Sequence, residues 1–291
     1  VYDCHEWFAL ARAERLPGLL RSLVTWLYGR MEDALLRRMD AAVTVNDDLA
    51  DRLRRACDDV VVCANYPADP TEPPKARKEY DVVYAGGIGA HKGMLKLLQA
   101  AEMLRRRQPD LRVLFLGPFL TPADHAAFDA AVQSGNLGDC VTWGGAVPHS
   151  EVAERLTACR VGVVLLDTNI RRYRHALSLK LLEYLHCGLP VVANDVPIVS
   201  NVLRAHDVGL CVDYNSFALA AAIEKLLALP PAARGAMARR AKKLVRERLN
   251  WATQEPALLD LFDRLSGENR RLLMLSYFYP PLGGPGVQRP C

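Results

Sequence analysis

The sequence lacks a long uncharged apolar run. The longest such runs among its 291 residues fall well short of the roughly 18 residues that a membrane-spanning helix needs, so we expect no membrane span. An excess of one charge is also missing, because 37 Lys and Arg residues against 33 Asp and Glu residues leave a formal net charge of +4. The basic clusters at 105–107 and 239–243 lie within amphipathic helical patterns and form no single stripe. This distribution disfavours nucleic acid as a partner.

The sequence contains no Cys-x-x-Cys pair and no signal-peptide pattern. Its eight cysteines are scattered, and several stand in apolar surroundings, where a free cysteine behaves as a small hydrophobe. We therefore expect reduced thiols and a cytoplasmic location. The chain begins at Val1 without an initiator Met, and we expect both of its ends to be cut.

Apolar residues are plentiful, at 51% of the sequence, and the length corresponds to about two domains of ordinary size. Short β-branched runs alternate with longer helical patterns, which is typical of an α/β fold with a parallel sheet covered by helices. The predicted strands are 41–45, 60–63, 81–85, 112–116, 140–143, 161–166, 190–193 and 209–212. The predicted helices include 16–39, 91–107, 122–132, 150–158, 178–186 and 216–229.

The strands divide unequally between two domains. Four prolines and the absence of an apolar period predict a linker at residues 66–79. Residues 80–249 hold six predicted strands, enough for one complete doubly wound Rossmann-like domain. Residues 1–65 hold two predicted strands, a long helix and a shorter one. Because two strands cannot cover both helix faces, we expect an incomplete second Rossmann-like domain, with a part missing before Val1.

The long helix predicted at 16–39 is amphipathic. One face carries Leu20, Leu23, Leu27, Met31 and Leu35, and Arg21, Arg30, Arg37 and Arg38 stand among the other faces. We favour core packing for the apolar face. The alternative is contact with a membrane surface that holds a lipid-linked acceptor.

A glycine-rich turn, 86–93, joins the strand 81–85 to a helix. Such a turn places backbone N–H groups and a helix N-terminus where an anion would bind, which favours a phosphate site. The dinucleotide fingerprint would require Gly at Lys92, and the P-loop would require Gly at His91 and Ser or Thr at Gly93, so both motifs fail. The alternative interpretation is a tight turn without a ligand.

A second group of polar residues lies in the helix 178–186, ahead of a buried strand. Ser178 is a natural N-cap, and Gly188 is the expected left-handed stop. Glu183 follows Lys180 by three residues, which places a carboxylate and a cation on one helix face near the carboxyl edge of the sheet. The carboxylate is suited to two hydroxyls and the cation to phosphate. The alternative is a surface Glu–Lys pair.

Three segments, 86–93, 141–152 and 180–193, resemble in order and spacing the donor domain of group 1 glycosyltransferases, which have the GT-B fold. The resemblance covers residues 80–265. Segments 40–53 and 60–67 resemble the last strands of the acceptor domain, and residues 1–6 resemble an Asp-x-His segment that faces the cleft. Residues 250–265 resemble the terminal helix that crosses back onto the first domain. The resemblance implies a GT-B-like α/β fold and a retaining glycosyltransferase.

The resemblance implies a site for a nucleotide-diphosphate sugar on the second domain. Gly87 and Lys92 would meet the donor diphosphate, and Lys92 would also stabilise the charge of the leaving group. Ser178 and the N–H groups of Leu179 and Lys180 would complete the phosphate site. We expect no metal and no cofactor, because the nucleotide sugar is a substrate.

The remaining site residues come from the same resemblance. Glu183 would accept the ribose hydroxyls, and Val147 would border the base. Many members of the family have another glutamate eight positions before the one that corresponds to Glu183. His175 holds that position here, and it cannot be assumed to act as a carboxylate. His5 would lie near the donor sugar and the acceptor as a catalytic residue, and the alternative is a histidine satisfied at a strand end. Cys4, His5 and Glu6 are adjacent in the chain and would make a poor metal site.

The sequence therefore predicts transfer of a sugar to a glycan or lipid-linked acceptor, at a cytoplasmic location that includes the inner membrane face. The alternatives are a protein that binds nucleotide sugars without transferase activity, and a nucleotide-dependent epimerase or NAD-type enzyme. The broken fingerprint at Lys92 argues against the NAD-type enzyme.

The tail, residues 270–291, has the pattern of a buried strand at 272–277 followed by a glycine-rich loop. It resembles the start of a GT-B enzyme. We favour a fragment of a longer tandem chain over a circular permutation or an unrelated apolar tail, because the permuted domain would still have few strands. Such a fragment should bind nucleotide and transfer little or no sugar.

Overall fold

The computed structural model describes residues 1–7, 9, 13, 16–67, 72–170 and 177–266. Its contacts divide the chain into unit 1, Val1–Asp69 with Leu249–Cys291, and unit 2, Pro70–Arg248. The predictions for His175 and for the tail 270–291 fall outside the described residues.

The described strands and helices alternate along most of the chain. In order they are β1 (Tyr2–Cys4), α1 (Gly18–Leu36), β2 (Ala42–Thr44), α2 (Asp47–Leu53), β3 (Val60–Val62), β4 (Tyr80–Ala85), α3 (Met94–Arg105), β5 (Val113–Leu116), α4 (Pro122–Ser134), β6 (Val141–Trp143), α5 (His149–Thr157), β7 (Cys159–Val164), α6 (Leu179–His186), β8 (Val191–Asn194), α7 (Pro197–His206), β9 (Gly209–Val212), α8 (Ser216–Leu227), α9 (Pro231–Glu247) and α10 (Glu255–Ser266). The eight strands predicted between residues 41 and 212 are present, with ends that agree within two residues. The α/β class is confirmed.

Unit 1 contains a parallel sheet of three strands in the order β1-β2-β3. The sequence predicted only two strands here, and that count is wrong because β1 pairs with β2 from Tyr2 to Cys4. One face of the sheet buries Cys4 with Leu36 of α1, and the other buries Val43 with Trp251. The helix expected at 250–265 is present as α10, after a 3-10 turn at Trp251–Thr253.

Unit 2 contains a parallel sheet of six strands in the order β6-β5-β4-β7-β8-β9. β4 and β7 are neighbours at its centre, and the chain runs outward from β4 through β5 and β6 before it returns to β7. The direction of the strand order reverses between β4 and β7. In open α/β sheets, ligands bind beyond the carboxyl ends of the strands at such a reversal. The topology therefore points to the segments that follow these two strands.

Helix α1 exposes the apolar face that the sequence analysis assigned to a core. Leu20, Leu23, Leu27, Met31 and Leu35 are between 45 and 53% exposed, and Leu19 and Trp26 are 93 and 60% exposed. Core packing is therefore wrong for this face. Within α1 only Glu32 and Leu36 are buried, because this opposite side contacts the sheet of unit 1. Glu32 accepts a hydrogen bond from the Tyr2 hydroxyl at 2.8 Å and pairs with Arg52.

Among the described residues, no single helix is long and apolar enough to cross a membrane. One pair, α8 and α9, has the length and composition of a broken span but is bent by 106°.

Candidate functional site

The turn after β4 is shaped by glycines. Gly86 has a φ of +92°, which favours glycine, and its N–H donates to Leu116 O at 2.8 Å. Gly117, after β5, has a φ of +136°, and a Cβ there would lie 2.3 Å from the carbonyl oxygen of Gly86. The two backbones can approach this closely only without a side chain. Gly86 itself is exposed at the carboxyl end of β4.

Lys92 lies at the end of the same turn. A 3-10 turn, Ala90–Lys92, leads to Gly93 with a φ of +81°, and α3 follows. The Tyr84 hydroxyl donates to Lys92 O at 2.9 Å, which fixes the lysine backbone to β4. The Lys92 Nζ lies 3.5 Å from the position that a Cβ on Gly87 would occupy. The ammonium and the bare backbone of Gly87 are therefore neighbours.

Asp124 of α4 holds the middle of the turn. Its carboxylate accepts from the Ala90 N–H at 2.8 Å and from the Thr121 hydroxyl at 2.7 Å. The hydrogen bond from Ala90 is the main reason that the pKa of this carboxyl lies below its usual value. The sequence analysis did not single out Asp124, although Thr121 ahead of Pro122 is a recognisable N-cap.

The side chain of Lys180 reaches the same place from α6. Its ammonium is buried and has no hydrogen-bond partner in the described part of the chain. It lies 4.0 Å from the centre of the Tyr84 ring, and its Cε is 3.7 Å from a Cβ built on Gly86. Burial lowers the pKa of Lys180 to about 7, with a further decrease from Lys92 and an increase from Glu183. Two lysines thus face the glycine turn.

The start of α6 differs in one detail from the prediction. Ser178 is the N-cap residue, but its hydroxyl makes no capping hydrogen bond, and the helix begins at Leu179, which is 38% exposed. The expected side-chain cap is therefore wrong. The first N–H groups of a helix have no partner within it, so those of Leu179 and Lys180 remain the relevant donors at this end. The helix ends as predicted, with Gly188 at a φ of +71°.

Tyr184 connects α6 to β4 beneath the site. Its hydroxyl accepts the Ala85 N–H at 2.7 Å, and its ring is fully buried against Gly162 of β7. A Cβ on Gly162 would lie 2.5 Å from the Tyr184 ring. The sequence reasoning missed this contact, although a glycine inside a buried strand is a signal of close packing. The contact fixes the distance between the α6 N-terminus and the glycine turn.

Glu183 lies one turn along α6 and is about one-third exposed, at 33% of its side chain. Burial raises the pKa of this carboxyl above its usual value, and His149 and Lys180 partly offset the increase. His149 Nε2 lies 3.8 Å from Glu183 Oε1. The alternative of a surface Glu–Lys pair is wrong, because the Lys180 ammonium is buried and makes no hydrogen bond in the described part of the chain.

Val147 lies in the loop between β6 and α5 and is half-buried. Trp143, the last residue of β6, is 43% exposed, and its Nε1 donates to Gly117 O at 2.9 Å. Its ring lies 4.9 Å from that of Phe119. An exposed aromatic side chain therefore lies at the carboxyl end of β6. Trp143 is part of the segment 141–152 that carries the family resemblance, but no role was predicted for it from the sequence.

His5 belongs to unit 1, whereas the other predicted site residues belong to unit 2. It follows β1, and its two ring nitrogens lie 3.1 Å from Asp3 Oδ2 and 3.3 Å from Asn65 Nδ2. Its catalytic role stays a prediction. Among the described residues, no group of three or more His, Cys, Asp and Glu side chains is arranged to hold a metal ion.

Sequence comparison identifies the family. A family model described as "Glycosyl transferases group 1" matches residues 65–244. The chain is also 32% identical over 165 residues to a D-inositol 3-phosphate glycosyltransferase of Arthrobacter sp. (strain FB24), a match that covers 56% of this chain and 38% of the relative. The chain thus spans less than half the length of this curated relative.

Solved structures show the same fold. The structure of Anabaena HepE in complex with UDP and glucose matches with a TM-score of 0.68 at 15% identity, over 90% of this chain and 71% of that one. The C-terminal domain of LpcC, a group 1 family protein of Francisella tularensis, matches with a TM-score of 0.53 at 17% identity, over 63% of this chain and 98% of that domain. The fold is that of GT-B proteins, and the chain belongs to the group 1 glycosyltransferases.

Proposed function

We propose that the protein is a glycosyltransferase that takes a sugar from a nucleotide-diphosphate sugar bound to unit 2 and retains its anomeric configuration. The observation that carries this proposal is the convergence of Lys92, Lys180 and the N-terminus of α6 on the turn after β4. Two cations and free helix N–H groups suit a diphosphate. The HepE structure, which shares the fold, contains UDP and glucose.

The chemistry requires stabilisation of the negative charge that develops on the leaving diphosphate as the glycosidic bond breaks. Lys92 is held for this by Tyr84, which bonds to its carbonyl oxygen at 2.9 Å, and by the Asp124 contact to Ala90 in the preceding turn. A charge that is already oriented needs no reorganisation during the reaction. We assign Lys92 as the residue that neutralises the leaving group.

Glu183 is assigned to the ribose of the donor. Its carboxylate lies three residues beyond Lys180 on α6 and is partly open to solvent, so it can accept hydrogen bonds from two adjacent hydroxyls. Val147, and the exposed face of Trp143 at the end of β6, are assigned to the base. A flat aromatic surface favours stacking by a base without selecting among bases by itself.

The acceptor is proposed to be a glycan or a lipid-linked saccharide, with His5 beside the reacting sugar. The Arthrobacter relative is named for a different acceptor, D-inositol 3-phosphate. Both acceptor classes therefore belong in the assay. We retain the cytoplasmic face of the membrane as the proposed location.

The exposed face of α1 supports a peripheral membrane contact. The large apolar side chains of one face, including Leu23 and Leu27, are exposed, and Arg21 and Arg30 are exposed on the same helix. An amphipathic helix of this kind lies in the interface of a bilayer, where its arginines meet anionic headgroups.

Vesicle sedimentation tests this contact. We expect binding to vesicles with phosphatidylglycerol, weaker binding to pure phosphatidylcholine, and loss of binding in Leu23→Ser/Leu27→Ser. Matched changes on the exposed Ala232 and Ala233 of α9 should have no effect. Equal vesicle binding by both variants would show that α1 does not form the membrane contact.

A transfer assay tests the main proposal. The protein is incubated with UDP-, GDP- and ADP-glucose and their N-acetylglucosamine counterparts, with a lipid-linked saccharide or inositol 3-phosphate as acceptor. We expect these 291 residues to bind the donor with little or no release, and a longer chain that includes them to release nucleoside diphosphate, with a product of the donor's own anomeric configuration by NMR. Binding without release by the longer chain would favour the alternative of a nucleotide-sugar-binding protein. An altered donor sugar would favour an epimerase.

A further inference from the structure

Lys180 carries a buried amino group that makes no hydrogen bond to the described residues. Its Nζ lies inside unit 2 and has no hydrogen-bond partner in the described part of the chain. The face of the Tyr84 ring, at 4.0 Å, is the contact that holds it. A buried ammonium normally requires a paired anion or several acceptors, so an ammonium without them is an unusual and costly arrangement. The expected explanation is an anionic group that comes from outside the protein.

The position of the ammonium identifies the chemistry of that group. The Lys180 side chain lies against Gly86, and Lys92 Nζ lies against Gly87, the next residue of the same turn. The first N–H groups of α6 belong to the same helix end as Lys180. Two lysines around two glycines suit an anion with at least two charged oxygens, as in a diphosphate.

We propose that the Lys180 side chain is a ligand of the donor diphosphate and that it takes up a proton when the donor binds. This inference rests on the proposed function, and it adds to it a proton-linked step in donor recognition. In the free protein a neutral amine on the Tyr84 ring avoids the cost of a buried charge. In the complex the diphosphate provides the missing anion, and the ammonium becomes the favoured form.

The charged groups around Lys180 support this direction. Lys92 lies on the turn packed against it and disfavours a second positive charge in the free protein. Glu183, on the same helix, favours the charge but is too distant to hydrogen-bond to it. Tyr84, on β4, presents its ring, and its hydroxyl is occupied with Lys92 O. The bound diphosphate changes this balance because its charge faces both lysines.

Linkage gives the sign of the effect. Since the pKa of Lys180 is about 7 in the free protein and rises in the complex, donor binding takes up a proton above about pH 7 and none well below it. The dissociation constant should therefore increase with pH above neutrality, by at most about tenfold per pH unit for one proton.

The experiment is calorimetry with the nucleotide sugar that binds most tightly among UDP-, GDP- and ADP-glucose. Titrations run between pH 6.5 and 8.5 in two buffers of different ionisation enthalpy. The difference between the two observed binding enthalpies gives the number of protons taken up. The diphosphate of a nucleotide sugar does not titrate in this range. We expect proton uptake and a pH-dependent affinity for the wild type. Lys180→Met should bind roughly tenfold more weakly at pH 6.5, without the uptake or the slope.

Lys96→Met is the matched control, because this lysine also lies over a tyrosine ring, that of Tyr214 at 4.7 Å, away from the turn. It should retain both effects. A ligand-free measurement confirms that Lys180→Met is folded and reports on the lysine itself. Between about pH 7 and pH 10.5 the free energy of unfolding of the wild type should rise with pH relative to that of Lys180→Met.

The outcomes separate the inference from the proposed function. If a nucleotide sugar binds equally to the wild type and Lys180→Met, without proton uptake, the inference is wrong and the donor site stands. If none of the three nucleotide sugars binds to a folded wild type, the proposed function fails, and the inference fails with it. Binding with proton uptake that persists in Lys180→Met assigns the proton to another group and overturns the inference.

Discussion

At the scale of single residues, Lys92 is the clearest test of the phosphate assignment. Its Nζ lies beside the glycine turn, so Lys92→Ala should weaken binding of the nucleoside diphosphate by ~1.5–3 kcal/mol, the range for hydrogen bonds to charged groups. The fold should persist, because Tyr84 bonds to the backbone of residue 92 rather than to its side chain. Calorimetry provides the measurement. Lys96→Ala removes the same charge from the next turn and should leave affinity unchanged, whereas unchanged affinity in Lys92→Ala would contradict the assignment.

A variant of Glu183 can distinguish the contribution of the ribose to donor binding from that of the phosphates. Because its carboxylate is assigned to the ribose hydroxyls, Glu183→Ala should weaken binding of the nucleoside diphosphate and leave binding of inorganic diphosphate unchanged. Glu151→Ala, an exposed carboxylate on α5, is the control and should change neither affinity. Competition binding with both ligands provides the measurement. Equal losses for the two ligands would mean that Glu183 acts on the phosphates.

The sequence could predict several of these residues but not their environment. Lys92 and Glu183 follow from local patterns, a turn before a helix and a short helix before a strand. The burial of Lys180 depends on Tyr84 and Gly86, which lie about a hundred residues earlier in the chain and contact it only when β4 and α6 are in place. Its local pattern left a surface pair as an alternative, since spacing on a helix gives the face of a residue and not what covers it.

At the scale of secondary structure, Gly162 of β7 controls how α6 sits on the sheet. A Cβ there would lie 2.5 Å from the ring of Tyr184, whose hydroxyl accepts the N–H of Ala85 at the edge of the glycine turn. Gly162→Ala should therefore destabilise unit 2 by ~1–3 kcal/mol, as overpacking does, and should also weaken diphosphate binding. Urea unfolding and calorimetry measure the two effects. Gly138→Ala, with open space around it, should be neutral, and a neutral Gly162→Ala would show that α6 adjusts freely.

The elements themselves were largely predictable, for a physical reason. Strands of a buried parallel sheet are short β-branched runs between helices, and the eight expected between residues 41 and 212 were found within two residues. β1 was missed because Tyr2–Cys4 is three residues long and carries a charge in its centre. The sequence correctly predicted which residues form the apolar face of α1, but the prediction that this face is buried in a core was wrong. Periodicity describes one helix, whereas burial depends on a second surface that packs against it.

At the scale of the whole molecule, the groups assigned to the donor all lie in unit 2, Pro70–Arg248. This unit has its own parallel sheet of six strands and its own core, with Tyr84, Phe115 and Ile223 fully buried. The C-terminal domain of LpcC, whose structure was solved as a domain, is matched over 98% of its length. A domain with a complete core can fold by itself.

The residues 70–248, produced alone, should therefore unfold in one cooperative transition and bind the nucleoside diphosphate with the affinity of the whole chain. The same reasoning makes His5 irrelevant to this affinity, because it lies in unit 1 and its ring nitrogens face Asp3 and Asn65. His5→Ala in the whole chain should leave nucleoside diphosphate binding unchanged, and in a longer chain that transfers sugar it should lower only the rate of transfer. Calorimetry on both proteins and a transfer assay on the variant make the comparison. If the isolated unit folds but binds at least tenfold more weakly, residues of unit 1 must take part in donor binding, and the assignment of the donor site to unit 2 alone would be wrong.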